Sequence, residues 1–110
     1  MEVQQNANTS IIKNFEIDLT TFVANLKLQF ESYQNQNIIV DIFNLKGLKN
    51  KDLTVFLDFI KMSKKNKKSF VVVISDFDFN KATAKINVVP TIQEAHDIIE
   101  MEEIERDLGF

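Results

Sequence analysis

Cysteine is absent from this chain of 110 residues, which contains one histidine, one proline and two glycines. Without cysteine the chain can form no disulfide, no thiolate nucleophile and no cysteine–zinc site. The two glycines, Gly47 and Gly109, are too far apart to build a phosphate-binding loop or a dinucleotide-binding motif. A long apolar segment that could span a membrane or direct export is also missing, so we expect a cytoplasmic protein without a membrane partner.

The single histidine, His96, is a poor candidate for catalysis. A general base needs a partner within hydrogen-bond reach, and the nearest acids in the sequence, such as Asp97, share its predicted helix. One histidine and no cysteine also leave too few ligands for a zinc site. We therefore interpret His96 as a surface or half-buried helix residue, and we expect neither enzymatic activity nor a metal or other cofactor.

Charge is distributed unevenly along the chain. Residues 1–91 carry twelve lysines against nine acids, whereas residues 92–110 carry seven acids against a single base, Arg106. The lysines at positions 61–68 are not interleaved with the arginines or aromatic residues typical of a nucleic-acid surface. A mildly basic body with a strongly acidic end favours protein partners over nucleic acid.

Two apolar runs, FVVVIS at 70–75 and IIVDIF at 38–43, predict the fold. Nearly unbroken runs rich in β-branched residues are typical of strands covered on both faces, as in a parallel sheet between helices. An amphipathic stretch between the runs, starting near Leu53, supplies a crossover helix. At this length we expect a single α/β domain, with a mixed, mostly parallel sheet of four or five strands and about three main helices.

The ends of the chain supply the remaining predicted elements. The first 14 residues are predicted to form a weak hairpin with strands at 3–5 and 10–13. The alternative is that this segment is partly disordered. Asp18 caps a first helix whose apolar stripe occupies 19–33. After a last strand at 86–89, Thr91 and Glu94 form a capping box that starts an acidic C-terminal helix.

The second predicted helix has two apolar faces. One begins with Leu53 and faces the sheet, while Val55, Phe59 and Met62 lie on another face. A helix that covers a sheet needs only one apolar face. The second face is therefore either covered by loops or the hairpin, or exposed as a patch that binds a partner.

The apolar face of the C-terminal helix changes direction along its length. Ile99 belongs to the face predicted to pack on the sheet, but Glu102 and Glu103 close that face and should not enter a core unpaired. A new stripe appears on nearly the opposite side, formed by Met101, Ile104 and Leu108. We therefore expect the helix to leave the domain body near Met101.

Residues 101–110 then have two possible roles. Their apolar stripe either docks on a surface such as Val55, Phe59 and Met62, in a two-fold dimer or on a partner protein, or forms a frayed acidic tail. Docking would offset the unfavourable placement of acids at the C-terminal end of a helix.

Two aspartates, Asp76 and Asp78, follow the apolar run at 70–75. Ligands of α/β proteins often bind beyond the carboxyl ends of strands, and two carboxylates could begin a Mg²⁺ site there. A small enzyme, or a protein that binds a nucleotide or metal at this strand end, is therefore the alternative to a non-catalytic protein. The simpler interpretation is a polar loop anchored by Phe77 and Phe79.

The chain resembles the STAS domain, the fold of anti-sigma-factor antagonists and of sulfate-transporter tails. The resemblance covers 37–95 and is carried by N-I-I-V-D-I at 37–42, L-T-V-F-L-D-F-I-K at 53–61, the run at 70–75 and T-I-Q-E-A at 91–95. Asp41 and Ile42 match the family's Asp-Leu pair at a strand end. The family's Asp-Ser-Ser-Gly falls on four different residues here: Lys49, Asn50, Lys51 and Asp52.

This resemblance implies partner binding without catalysis, through the loop and helix after the second main strand. In many STAS domains a serine of that loop is phosphorylated, and the added charge breaks the complex. Asn50 and Lys51 occupy the two serine positions here, so the resemblance does not carry the switch over.

The C-terminal sequence is similar to that of small bacterial STAS-like proteins, some of which carry a ribonuclease Z label. Such enzymes are two-zinc hydrolases with a histidine-rich site, which a chain with one histidine cannot build. At most, this label predicts an accessory subunit of an RNA-processing enzyme.

Overall fold

A computed structural model of the chain describes residues 1–109 and contains one five-stranded mixed sheet. Its strands lie side by side in the order in which they occur along the chain. Strand β1 (Glu2–Gln5) is antiparallel to β2 (Thr9–Lys13), and β3 (Asn37–Asp41), β4 (Phe70–Val73) and β5 (Asn87–Val89) continue parallel to β2. The predicted α/β class and mostly parallel sheet are confirmed, and β1 and β2 form their hairpin at the predicted positions.

Within the described residues, four α-helices cover this sheet: α1 (Leu19–Gln29), α2 (Asn50–Leu53), α3 (Leu57–Lys65) and α4 (Ile92–Asp107). A 3-10 turn joins α2 to α3, so residues 50–65 form one continuous helical segment. Helix α1 begins where predicted because the Asp18 carboxylate accepts the N–H of Thr21 at 2.7 Å. That hydrogen bond lowers the pKa of the Asp18 carboxyl. Helix α4 begins at the Thr91 cap, whose hydroxyl accepts the N–H of Glu94 at 3.1 Å.

The core has two halves, one on each face of the sheet. Val40 and Val72 point to the face covered by α1 and by residues 50–65, whereas Ile39 and Val71 point to the face covered by α4. All four side chains are fully buried, because β3 and β4 are central strands with helices on both sides. This arrangement explains why their sequences show no alternation of apolar and polar residues.

Helix α4 does not leave the domain body near Met101, contrary to the prediction from sequence. It continues along the sheet as one helix to Asp107. Glu102 and Glu103 are half-buried and lie against the amino ends of the strands, where they accept hydrogen bonds from asparagine side chains. Because the two carboxylates have partners there, the cost of unpaired burial does not arise. No helix within residues 1–109 is both long and apolar enough to cross a membrane.

Candidate functional site

Three surface features contain the residues that the sequence singles out. The first is a cleft at the carboxyl edge of the sheet, between the loop after β3 and the connection after β4. It encloses about 610 Å³, and we call it the loop cleft. Nine residues line it: Gly47, Leu48, Lys49, Asn50, Lys51, Asp76, Phe77, Asp78 and Lys81.

The loop cleft brings together two segments that the sequence singles out for different reasons, residues 49–52 and residues 76–78. Asn50 and Lys51 line it together with the Asp76/Asp78 pair. The Gly47 N–H donates to the Asp76 carboxylate at 3.0 Å, and the Asn50 side-chain amide donates to the carbonyl of Lys81. Gly47 adopts a φ of +69°, a conformation that favours glycine. The two loops therefore hold each other in place.

The acidic residues around the loop cleft are engaged in local contacts. The Asp78 carboxylate accepts the N–H of Asn80 at 3.2 Å and lies 3.9 Å from the Lys81 ammonium. The Asp52 carboxylate accepts the N–H of Lys49 at 2.8 Å and so caps α2. Within residues 1–109 no group of three or more His, Cys, Asp and Glu side chains is arranged to hold a metal ion.

A second cavity of about 510 Å³ lies on the outer surface of the helical layer, between α1 and α3. We call it the helix groove, and its lining comes from both helices and from the turn before α3. The lining residues are Val23, Lys27, Val55, Asp58, Phe59, Lys61 and Met62.

The three residues of the predicted second apolar face do not share one environment. Val55 and Met62 are 44% and 40% exposed, whereas Phe59 is only 4% exposed. The centre of the Phe59 ring lies 5.1 Å from the centre of the Phe30 ring and 6.1 Å from the centre of the Phe70 ring. Of the two possibilities for this face, exposure holds for Val55 and Met62 but not for Phe59, because its ring fills the core and forms the floor of the helix groove.

Sequence reasoning missed the contribution of α1 to the helix groove. Val23 and Lys27 are one helical turn apart, so both reach the same side of α1. The apolar stripe predicted over 19–33 includes Val23, but this side chain is only half-buried in the structure. The signal in the sequence is a lysine one turn after an apolar residue at the margin of the core stripe.

The third feature is the apolar surface of α4 that faces away from the sheet. Met101, Ile104 and Leu108 are each more than half exposed, and we call them the outer stripe. Acidic side chains flank this stripe on the helix surface. Phe110, which the sequence assigns to the same docking segment, lies outside the described residues.

The helix groove and the outer stripe lie on opposite faces of the sheet. Phe59, at the floor of the groove, belongs to the core half formed with α1, whereas α4 contributes Ile99 to the other half. The outer stripe is on the side of α4 opposite to Ile99. The structure therefore separates these two surfaces by the whole thickness of the domain.

An exposed aromatic pair occupies the carboxyl edge beyond β2 and β3. The rings of Phe15 and Phe43 are 6.2 Å apart, and the Lys13 ammonium lies 4.8 Å from the centre of the Phe43 ring. Burial raises the pKa of the neighbouring Asp41 carboxyl, while the N–H of Phe43 and the charge of Lys13 offset part of that effect. His96 is half-buried on α4 and does not line the loop cleft.

Neither the protein-family models nor the curated proteins searched with this chain match it. The functional interpretation therefore depends on the three surfaces themselves, of which the helix groove combines an apolar floor with a charged rim.

Proposed function

We propose that this chain is a cytoplasmic, non-catalytic module for protein–protein interaction, and that its partner binds in the helix groove. One observation carries the proposal, which is the combination of apolar contact surface and lysines in a single groove. Val55 and Met62 are exposed above the buried ring of Phe59, and Lys27 and Lys61 lie beside them.

The chemistry of the helix groove defines the partner. A common mode of recognition places the apolar face of an amphipathic helix in a groove of this kind. The ammonium groups of Lys27 and Lys61 favour carboxylates on either side of such an apolar face. We infer that the partner presents a helix with a narrow apolar stripe and acidic flanks.

The resemblance to STAS domains supports partner binding on the same side of the molecule. It implies partner binding through the loop and helix that follow the second main strand, and residues 50–65 supply most of the helix groove. Because Asn50 and Lys51 replace the family's serines, we infer that phosphorylation of this loop does not control binding.

The contacts in the loop cleft favour the interaction module over an enzyme or a nucleotide-binding or metal-binding protein. Asp76 and Asp78 each accept a hydrogen bond from a loop N–H group, which supports the interpretation of this segment as a polar loop. An accessory role beside an RNA-processing enzyme would be a special case of the same proposal, since it also requires a bound protein.

Introducing a negative charge into the helix groove tests this function. Val55→Asp and Met62→Asp each place a carboxylate on its apolar surface, and Leu28→Asp is the matched control. Leu28 is 85% exposed on α1 and does not line the groove. The tagged wild type and each tagged variant are used to capture partners from the source cell, and the captured proteins are quantified by mass spectrometry.

We expect one partner to be captured by the wild type and by Leu28→Asp but lost by both groove variants. If the groove variants retain every protein that the wild type captures, the helix groove is not the binding surface and the proposal is wrong.

A further inference from the structure

We propose that the helix groove of one copy of this chain binds the outer stripe of a second copy, so that copies associate head to tail. The inference rests on the proposed function and names an occupant for the groove. That occupant is residues 101–108, the end of α4 and its C-cap Leu108, whose apolar side chains face away from their own sheet.

The outer stripe and the helix groove are complementary apolar surfaces. Met101, Ile104 and Leu108 repeat at three- and four-residue intervals, which places them on one narrow line along α4. This is the stripe that an apolar groove between helices accommodates. More than half of each of these side chains is exposed in the single copy, so docking would remove apolar surface from water.

The two surfaces also carry complementary charges. Glu105 lies on one side of the outer stripe, and Glu100 and Asp107 lie on the other. Lys27 and Lys61 are exposed in the lining of the helix groove. A stripe with acids on both sides therefore meets a groove with lysines from two helices, which favours this pairing over apolar surfaces without charge.

Asp58 is the acid in the lining of the helix groove, and it limits how the outer stripe can lie there. A docked helix that brought Glu105 next to Asp58 would place two carboxylates together in a partly dry contact. A docked helix avoids this repulsion when the acids of α4 lie beside Lys27 and Lys61. Asp58 therefore disfavours docked orientations that bring a carboxylate of α4 next to it.

The positions of the two surfaces determine the form of the assembly. In a two-fold dimer that joined groove to stripe, each copy would need both surfaces on the side that faces its partner. Here they lie on opposite faces of one sheet. Contacts between them are therefore heterologous, and each added copy leaves one groove and one stripe open, so the series does not close at two.

The contact is small, because about two turns of one helix enter one groove. Interfaces below roughly 1,200 Å² of total buried area are typical of weak, transient association. We therefore expect assembly only at high protein concentration, and we expect added salt to weaken it because exposed charges contribute to it.

Two single variants and their mixture test the head-to-tail arrangement by sedimentation velocity. Met62→Asp blocks the groove and leaves the stripe intact, whereas Ile104→Asp blocks the stripe and leaves the groove intact. Both positions are exposed, so the fold should be preserved, and circular dichroism checks this. Leu28→Asp again controls for an added surface charge.

We expect the average mass of the wild type and of Leu28→Asp to rise continuously with concentration. Each blocked variant alone should associate at least about tenfold more weakly, since it would bury a carboxylate among apolar groups. An equimolar mixture of the two blocked variants should form a one-to-one dimer and nothing larger. In that mixture only the stripe of Met62→Asp and the groove of Ile104→Asp are still able to bind.

Three results would overturn this inference: a wild type that is monomeric at all concentrations, a wild type that stops at a dimer, or association unchanged in both variants. Any of them can occur while Val55→Asp still abolishes capture of a different protein. In that case the groove binds another acidic helix, and only the identity of its occupant is wrong.

Discussion

The carboxylate of Glu103 accepts a hydrogen bond from Nδ2 of Asn37 at 3.1 Å, although 66 residues separate them in the chain. The Oδ1 atom of the same buried asparagine accepts the N–H of Ser69 at 2.8 Å. Arg106 donates to the hydroxyl of Ser69 at 3.1 Å, one turn of α4 further on. Asn37 thus connects β3, the start of β4 and the end of α4, and it holds the outer stripe in a fixed direction.

Replacing Asn37 by alanine should destabilise the domain and loosen the end of α4. The Ser69 N–H would lose its acceptor in a buried position, which costs roughly 1–3 kcal/mol of unfolding free energy. Urea unfolding measures the cost, and hydrogen exchange of residues 103–107 reports the loosening. The exposed Asn35→Ala is the control and should stay within about 0.5 kcal/mol of wild type. Equal effects from both variants would contradict the role assigned to Asn37.

Truncating Phe59 should separate its structural role from that of its neighbours on the same helix. Phe59→Ala removes a buried ring that contacts Phe30 and Phe70, so we expect a loss of about 3–5 kcal/mol. Met62→Ala removes a side chain that is 40% exposed and should cost less than about 1 kcal/mol. Denaturant unfolding of both variants decides the point. Similar losses would mean that Phe59 is not the floor of the groove.

The loop cleft offers a test in which fold stability changes little. Asp76→Ala removes the acceptor of the Gly47 N–H, so amide exchange at Gly47 should become faster. Asp76→Asn keeps a side-chain oxygen as acceptor and should preserve most of the protection. Because the contact is exposed, we expect the alanine variant to lose no more than about 1 kcal/mol. Unchanged exchange at Gly47 in the alanine variant would show that the two loops do not hold each other.

Asp41 should give the domain a measurable dependence of stability on pH. Burial raises the pKa of its carboxyl in the folded state, so in the window above the unfolded pKa the folded state binds more protons than the unfolded state. The free energy of unfolding therefore falls as pH rises through that window.

The Asp41→Asn variant should lack this contribution, and Asp107→Asn controls for the loss of one negative charge. We expect the stability of wild type to decline relative to Asp41→Asn as pH rises from about 3 to about 7. Urea unfolding at several pH values gives the comparison. A constant difference, or a relative gain by wild type, would contradict the raised pKa.

Local sequence signals predicted the elements that depend on nearby residues. The runs around Val40 and Val72 identify central strands because burial on both faces removes alternation, and Thr91 identifies the start of α4 because its cap acts three residues away. The course of α4 beyond Met101 could not be predicted in this way. The groups that accommodate Glu102 and Glu103 are Asn87, Asn8 and Asn37, which come from three other segments.

The helix groove was only half predictable for a related reason. Counting one apolar face per helix fits a helix that touches only the sheet, but residues 50–65 also lie against the helical region of Phe30. A helix with two neighbours needs two apolar directions, and Phe59 points between them. The exposed residues Val55 and Met62 could be recognised from their spacing along one helix. The contribution of Val23 and Lys27 could not, because it depends on the relative positions of two helices.

The most direct test of the interaction module is photo-crosslinking from inside the helix groove. A benzophenone side chain at position 62 replaces Met62, and the same group at position 28 replaces Leu28 as the exposed control on α1. Crosslinked peptides from source cells are identified by mass spectrometry. Our account predicts one dominant adduct at position 62, to a helical peptide with apolar and acidic residues, and much weaker labelling of that peptide from position 28. Equal labelling from both positions, or no protein adduct at position 62, would contradict it.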